Sequence, residues 1–424
     1  MKYGFRVFLV SLFVFPYFIG WAQSVIKLYD FYPNELEKGA FGIRAELNSN
    51  STALTATFQN KRLTGGFIND AEKDAMLSRA NQTNSTGSMT EAAAFMSFKP
   101  SKILDAENSK FSFLFLLSDR RIQNAYFTDQ MLDIFLNGNR SFAGQTAYMS
   151  PFYQTNIGYQ SFRFMSNMEV NDKVNVGFGV SLINGEQLQN IDASTLNLFT
   201  SEFGDTLILE GMGTIIISDT SNVGFLKNNG IGGAFSGYIN LNINIIPNLN
   251  IPAQLYFEVR DLGWVNWSSR TETYRFDTTY LFDGIEYENI FDDGSFVDDR
   301  PIEDRIEEVS ELTVGSRNAM LPAEFQLRLR QEFEKYFFEM GTSYFLNSNF
   351  SAYIHGSAYR KLNDQWSLGL ESNYGGYGRF DLGVGMNYQS EHVGLILGSR
   401  SMSGWVNPDK WAGQSFYFQM HWLW

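Results

Sequence analysis

The sequence predicts an all-β protein: a transmembrane antiparallel β-barrel of about 14 to 16 strands, with short turns at one end and long loops at the other. Three observations predict it. The last ten residues, Ser415–Trp424, alternate strictly, with Phe416, Phe418, Met420, Trp422 and Trp424 on one face and Ser415, Tyr417, Gln419 and His421 on the other. A terminal strand that apolar invites aggregation in water but is ordinary in the wall of a barrel in lipid. Aromatic residues make up 16% of the chain, yet no apolar run after the first 20 or so residues is long enough for a membrane helix. Third, when the strands are laid out in order, the short connections fall on one end and the long ones on the other.

The start of the chain reads as a secretory signal over residues 1–22. Lys2 and Arg6 precede the apolar Val7–Ile19, and Gly20-Trp21-Ala22 offers small residues for cleavage before Gln23. The mature chain, 23–424, is one barrel domain, and 23–38 is long enough for a small N-terminal plug. The chain has 0 cysteines, which excludes disulfides and lipid attachment through a thiol. The net charge of −14 becomes more negative once Lys2 and Arg6 leave, against the basic surfaces that nucleic-acid binding favours.

Alternating segments place strands near 154–168, 174–184, 191–199, 206–217, 234–245, 251–262, 322–333, 336–346, 350–361, 366–374, 378–389, 392–400 and 414–424. Segment 110–118 supplies one more, and the count is 14 without, or 16 with, two further strands at 89–99 and in part of 39–59. A turn phrase recurs: Val170-Asn171-Asp172-Lys173-Val174 matches Leu362-Asn363-Asp364-Gln365-Trp366, and Asn-Asp suits a tight turn. With Pro247-Asn248, Glu334-Lys335 and Ser390-Glu391, these turns fall at the periplasmic end. The longer connections, 121–152, 218–233, 263–321 and 401–414, fall at the extracellular end.

Parity then assigns faces. In 251–262, Leu255, Phe257 and Val259 point to lipid, and Glu258 and Arg260 to the lumen. In 322–333, Phe325, Leu327 and Leu329 point out, and Arg328 and Arg330 in. In 378–389, Phe380, Leu382 and Val384 point out, and Arg379 and Asp381 in. A charge on the lipid face costs about 2–4 kcal/mol at mid-bilayer, which enforces this parity.

Four phrases carry a family resemblance: Asp261-Leu262-Gly263-Trp264-Val265-Asn266-Trp267, Leu136-Asn137-Gly138-Asn139, Leu321-Pro322-Ala323-Glu324-Phe325 and Ser372-Asn373-Tyr374-Gly375-Gly376-Tyr377-Gly378. They resemble phrases of an uncharacterised outer-membrane barrel family of Bacteroidota. That family is similar to the FadL-type group, which includes long-chain fatty-acid transporters and the PorV shuttle protein of type IX secretion. The resemblance implies a bacterial outer-membrane location and passage or binding of a hydrophobic small molecule. The alternative it implies is a non-enzymatic scaffold subunit of an outer-membrane complex. Expected partners are outer-membrane lipid, a hydrophobic ligand or a membrane-complex partner.

Candidate chemistry is sparse. The three histidines, His355, His392 and His421, show no nucleophile motif and no metal-ligand spacing. No enzyme, no cofactor and no metal centre are expected. The loop 263–321 is dense in Asp and Glu, and Asp292, Asp293, Asp298 and Asp299 offer oxygen ligands for Ca²⁺. The spacing is not that of an EF-hand, and a solvated loop with a short helix over 303–312 is the simpler reading. Leu132–Leu136 reads as an amphipathic helix capped by Thr128 or Asp129. Its residues Met131, Ile134 and Phe135, with Phe127, pack inward or contact a ligand. Ala71–Arg79 reads as a second helix. A salt-bridged lumen favours the scaffold reading, and an apolar cavity beneath the loops favours transport.

Overall fold

Fourteen antiparallel strands close into a ring. The computed structural model describes residues 39–100, 110–244, 252–282 and 310–424, together with the strand pair at 102–103 and 106–107. In chain order the wall strands are β1 (Ala40–Ser51), β2 (Thr83–Phe98), β3 (Phe111–Thr128), β4 (Phe152–Asn171), β5 (Val174–Thr200), β6 (Gly230–Ile243) and β7 (Ala253–Trp267). They continue with β8 (Glu324–Glu332), β9 (Tyr336–Phe345), β10 (Tyr353–Lys361), β11 (Trp366–Tyr374), β12 (Asp381–Gln389), β13 (Val393–Ser399) and β14 (Gln414–Leu423). Each pairs with its predecessor, and β14 closes the ring on β1 from Ala40↔Leu423 to Ser49↔Gln414. Closure removes the free edges that an open apolar sheet would present.

Outward residues form a continuous apolar band. Phe41, Ile43, Phe115, Leu117, Phe162, Phe164, Phe178, Val180, Leu182, Phe257, Leu327, Leu370, Leu382 and Val384 are all exposed. Aromatic pairs rim the turn end, Phe41 stacking on Trp422 at 5.0 Å and Trp366 tilted against Tyr388 at 4.6 Å. Among the described residues no helix is long and apolar enough to cross a membrane.

Several sequence expectations change here. Segment 191–199 is not a separate strand: it is the upper part of β5, which runs 27 residues without a break. Its lower half pairs with β6 and its upper half with the strand Leu207–Ile217. That second strand, expected in the wall, instead pairs with Glu272–Phe282 and forms a sheet standing above the ring at the loop end. Alternation cannot tell wall from extension, because both bury one face. The expected loop 263–321 also carries strand at Glu272–Phe282, Glu311–Val314 and Arg317–Met320. Glu311 and Leu312 open a strand where the end of a helix was expected; 303–309, the four aspartates, the signal, the plug segment and Pro247-Asn248 lie outside the described residues.

Among the described residues three helices of nine or ten residues cap the loop end: α1 (Ala56–Thr64), α2 (Asp70–Arg79) and α3 (Asp129–Asn137). Thr128 caps α3 by accepting from the Met131 N–H, and Asn69 and Glu72 form a reciprocal capping box on α2.

Candidate functional site

The interior is filled in layers. At its centre lies a charged layer contributed by β1, β2, β3, β4, β7 and β8. Arg120 on β3 donates to Asp261 at 3.0 Å and to Glu324 at 2.8 Å. Arg163 on β4 donates to Asp261, and the Tyr159 hydroxyl donates to the same carboxylate at 3.0 Å. Arg260 pairs with Glu91 on β2, and Arg44 with Glu46 on β1. All of these side chains are buried. Buried charges persist only when paired and hydrogen-bonded, and here all of the pairs but Arg44–Glu46 join strands that are not neighbours in the wall.

One backbone irregularity makes this layer possible. Between β6 and β7 the register shifts, with Arg260 and Asp261 together opposite Ser236. Such a bulge re-aims side chains, so that both Arg260 and Asp261 point inward. Asp261 sits in the left-handed region at φ 57°, and its N–H is held by the Ser236 hydroxyl at 3.1 Å. At the same level the β7–β8 ladder is interrupted. Pairing runs to Arg260↔Glu324, resumes at Trp264↔Met320, and is bridged by the Leu321 N–H to Gly263 O bond. Pro322 has no N–H to give. The strict parity expected through 251–262 therefore ends at Arg260, and Leu262 and Trp264 face outward beyond it.

Above the charged layer, toward the loops, lies an apolar layer that includes Ile122, Ile157, Val265, Trp267, Leu321, Phe345 and Phe350. The Phe345 ring receives the Arg120 guanidinium at 5.4 Å. Higher still, the cap has its own apolar cluster. Phe127, Met131 and Ile134 are buried in it, and Phe135 packs against it with its ring edge-on to Phe58 at 6.1 Å. The structure brings these four candidates together under α3. Asn124 and Gln154, fully buried, stand in sequence between members of the two apolar layers.

A second polar group spans β8 to β14. Glu371 accepts from the Tyr417 hydroxyl at 2.6 Å and from Tyr359, and faces Arg400 at 3.4 Å. Arg328 faces Glu339 at 3.5 Å. Gly385 and Gly398 are required here, because a Cβ at either would collide with the tyrosine rings. A cavity of about 90 Å³ opens among Arg328, Glu339, His355, Glu371, Arg400 and Tyr417, roomy and polar enough to hold water.

Of the charged candidates, Glu258, Arg260 and Arg328 lie deep inside. Arg330 lies nearer the turn end, over the Phe337 ring at 4.3 Å. Asp381 accepts from Ser403 at 2.8 Å, and Arg379 precedes β12 and donates to the Arg79 carbonyl at the end of α2. Sequence reading missed Arg44, Glu46, Glu91, Arg120, Arg163, Asp261 and Glu324. The adjacent charges Arg260-Asp261 were a usable signal, since two consecutive inward charges in a strand require a bulge. His355 is buried in the lumen, His392 lies in the turn before β13, and His421 is on β14. Among the described residues no group of acids and histidines is arranged to hold a metal.

The sequence model of a family of unknown function (DUF5723) matches residues 248–399. None of the curated proteins matches the chain. Similar solved structures include the Ralstonia pickettii toluene transporter TbuX, at 9% identity over 92% of this chain and 90% of that one, with a TM-score of 0.41. The P. putida toluene transporter TodX is similar at 9% identity over 93% and 90%, with a TM-score of 0.40. A Pseudomonas aeruginosa FadL homologue is similar at 12% identity over 91% and 88%, with a TM-score of 0.38.

Proposed function

We propose that this protein is a barrel of the bacterial outer membrane that binds a hydrophobic small molecule beneath its extracellular cap and passes it sideways through the wall. The outward apolar band is the surface for lipid, and the short turns belong to the periplasmic side. One observation carries the reading: the vertical order of the interior. Apolar cap residues and an apolar layer lie above a charged floor, and that layer, through Val265, Trp267 and Leu321, borders the interrupted β7–β8 seam. A hydrophobe entering from above meets apolar surface at the seam and a desolvation barrier below it. Native mass spectrometry of the protein in mild detergent should recover a bound hydrophobe. Met131→Asp with Phe135→Asp should abolish that recovery while the barrel still assembles. Persistent recovery of the hydrophobe from that variant would overturn the site.

A second reading is favoured by the cross-lumen ion pairs: a closed barrel that serves as a scaffold in an outer-membrane complex. Steady co-purification of a protein, with no small molecule, would select it.

A further inference from the structure

A loop on the outside of the wall extends the apolar band. Phe178, Val180 and Leu182 form an exposed outward row on β5, and Asn184 is the next residue of that row. Gln160, its register partner on β4, also faces outward, in the row of Phe162 and Phe164. The loop 218–229 occupies the Asn184 amide directly and reaches Gln160 through Glu186. Asn184 donates to the Lys227 carbonyl at 3.0 Å and accepts from Asn228. Gln160 donates at 2.8 Å to Glu186, which also takes Arg121 at 3.1 Å and the Leu226 N–H.

These contacts hold the loop in a costly shape. Leu226 sits at φ 62°, a region that bulky residues avoid. Yet the tip is not buried: Phe225 is 69% and Leu226 67% exposed, beside the exposed Ile231, which pairs with Asn184. Strain and hydrogen bonds thus fix two apolar side chains in the open, where the outward row changes from apolar to polar. That boundary is where aromatic residues partition in membranes.

We propose that Phe225 and Leu226 are an interfacial anchor that enters the outer leaflet, with the exposed Lys227 meeting lipid phosphates. This rests on the outer-membrane reading above. Continuity with the outward band commits the surface to lipid rather than to a protein.

The chain has 0 cysteines, so Phe225→Cys, Leu182→Cys and Phe203→Cys each create a unique site for a nitroxide label. The full chain is reconstituted in vesicles of phosphatidylethanolamine and phosphatidylglycerol. Collisions with oxygen, which enters bilayers, are compared with those of a water-soluble nickel complex. The oxygen-to-nickel ratio at 225 should match that at 182 and exceed several-fold that at 203, in the exposed turn after β5. If 182 reads as lipid and 225 as water, the anchor alone is overturned. If 225 is shielded from both reagents, the loop packs on protein and the anchor is again overturned. If 182 reads as water, the membrane reading falls and the anchor with it.

Discussion

Arg120 and Glu324 hold each other at 2.8 Å inside the ring, with β4 to β7 intervening along the wall between their strands. The bond ties the two sides of the interior together, so each residue's burial depends on the other. Arg120→Met leaves Asp261 and Glu324 short of a cation. Breaking a buried pair costs about 3–5 kcal/mol. The single variant should lose heat-resistant migration at lower temperature than wild type, and Arg120→Met with Glu324→Met should recover part of the loss. Equal stability of single and double variants would deny the coupling.

The same layer should make the lumen electrically silent. In planar bilayers the wild type is expected to pass little current. Glu91→Ala with Arg260→Ala removes one of its pairs and should raise conductance. An open, ohmic wild type would refute a closed floor.

The wall's two faces can be compared at neighbouring positions. Leu327 is outward and exposed, and Gln326 inward and buried. Leu327→Lys should impair insertion by about 2–4 kcal/mol, whereas Gln326→Lys adds a cation to a polar interior. Equal folding yields in lipid vesicles would contradict the assignment.

In the cap, Lys61 donates to Glu72, and with the Asn69 N–H holds its carboxyl below the ordinary 4.5. A carboxylate depressed in the folded state stabilises above its unfolded value, and that contribution is lost as pH falls through the folded one. Protection factors of the α2 amides, corrected for the intrinsic pH dependence of exchange, should therefore fall on acidification through that window, and Lys61→Met should flatten the dependence. Asn69→Ala should cost about 1 kcal/mol in the same helix by removing its cap.

Much of this architecture was legible in the sequence. The terminal strand, the Asn-Asp turns and the alternation of 322–333 follow from period two, which one buried face enforces. Thr128 and the α3 stripe follow from capping and period 3.6. What was hidden depends on partners distant in sequence. No local pattern says that Arg120 meets Glu324, or that Arg163 meets Asp261. The fate of 191–217 was hidden for another reason: a strand that has left the ring alternates like one still in it.

β5 belongs to two sheets at once. Its residues 174–185 pair with β6 in the wall, and 189–200 pair with Leu207–Ile217 in the sheet above. Ring and upper sheet thus share one unbroken backbone, and the boundary between them is not a domain boundary. Whatever exchanges or trims the outer structure, in evolution or in the laboratory, must carry a wall strand with it. The unit of inheritance here is a loop together with the strand that roots it.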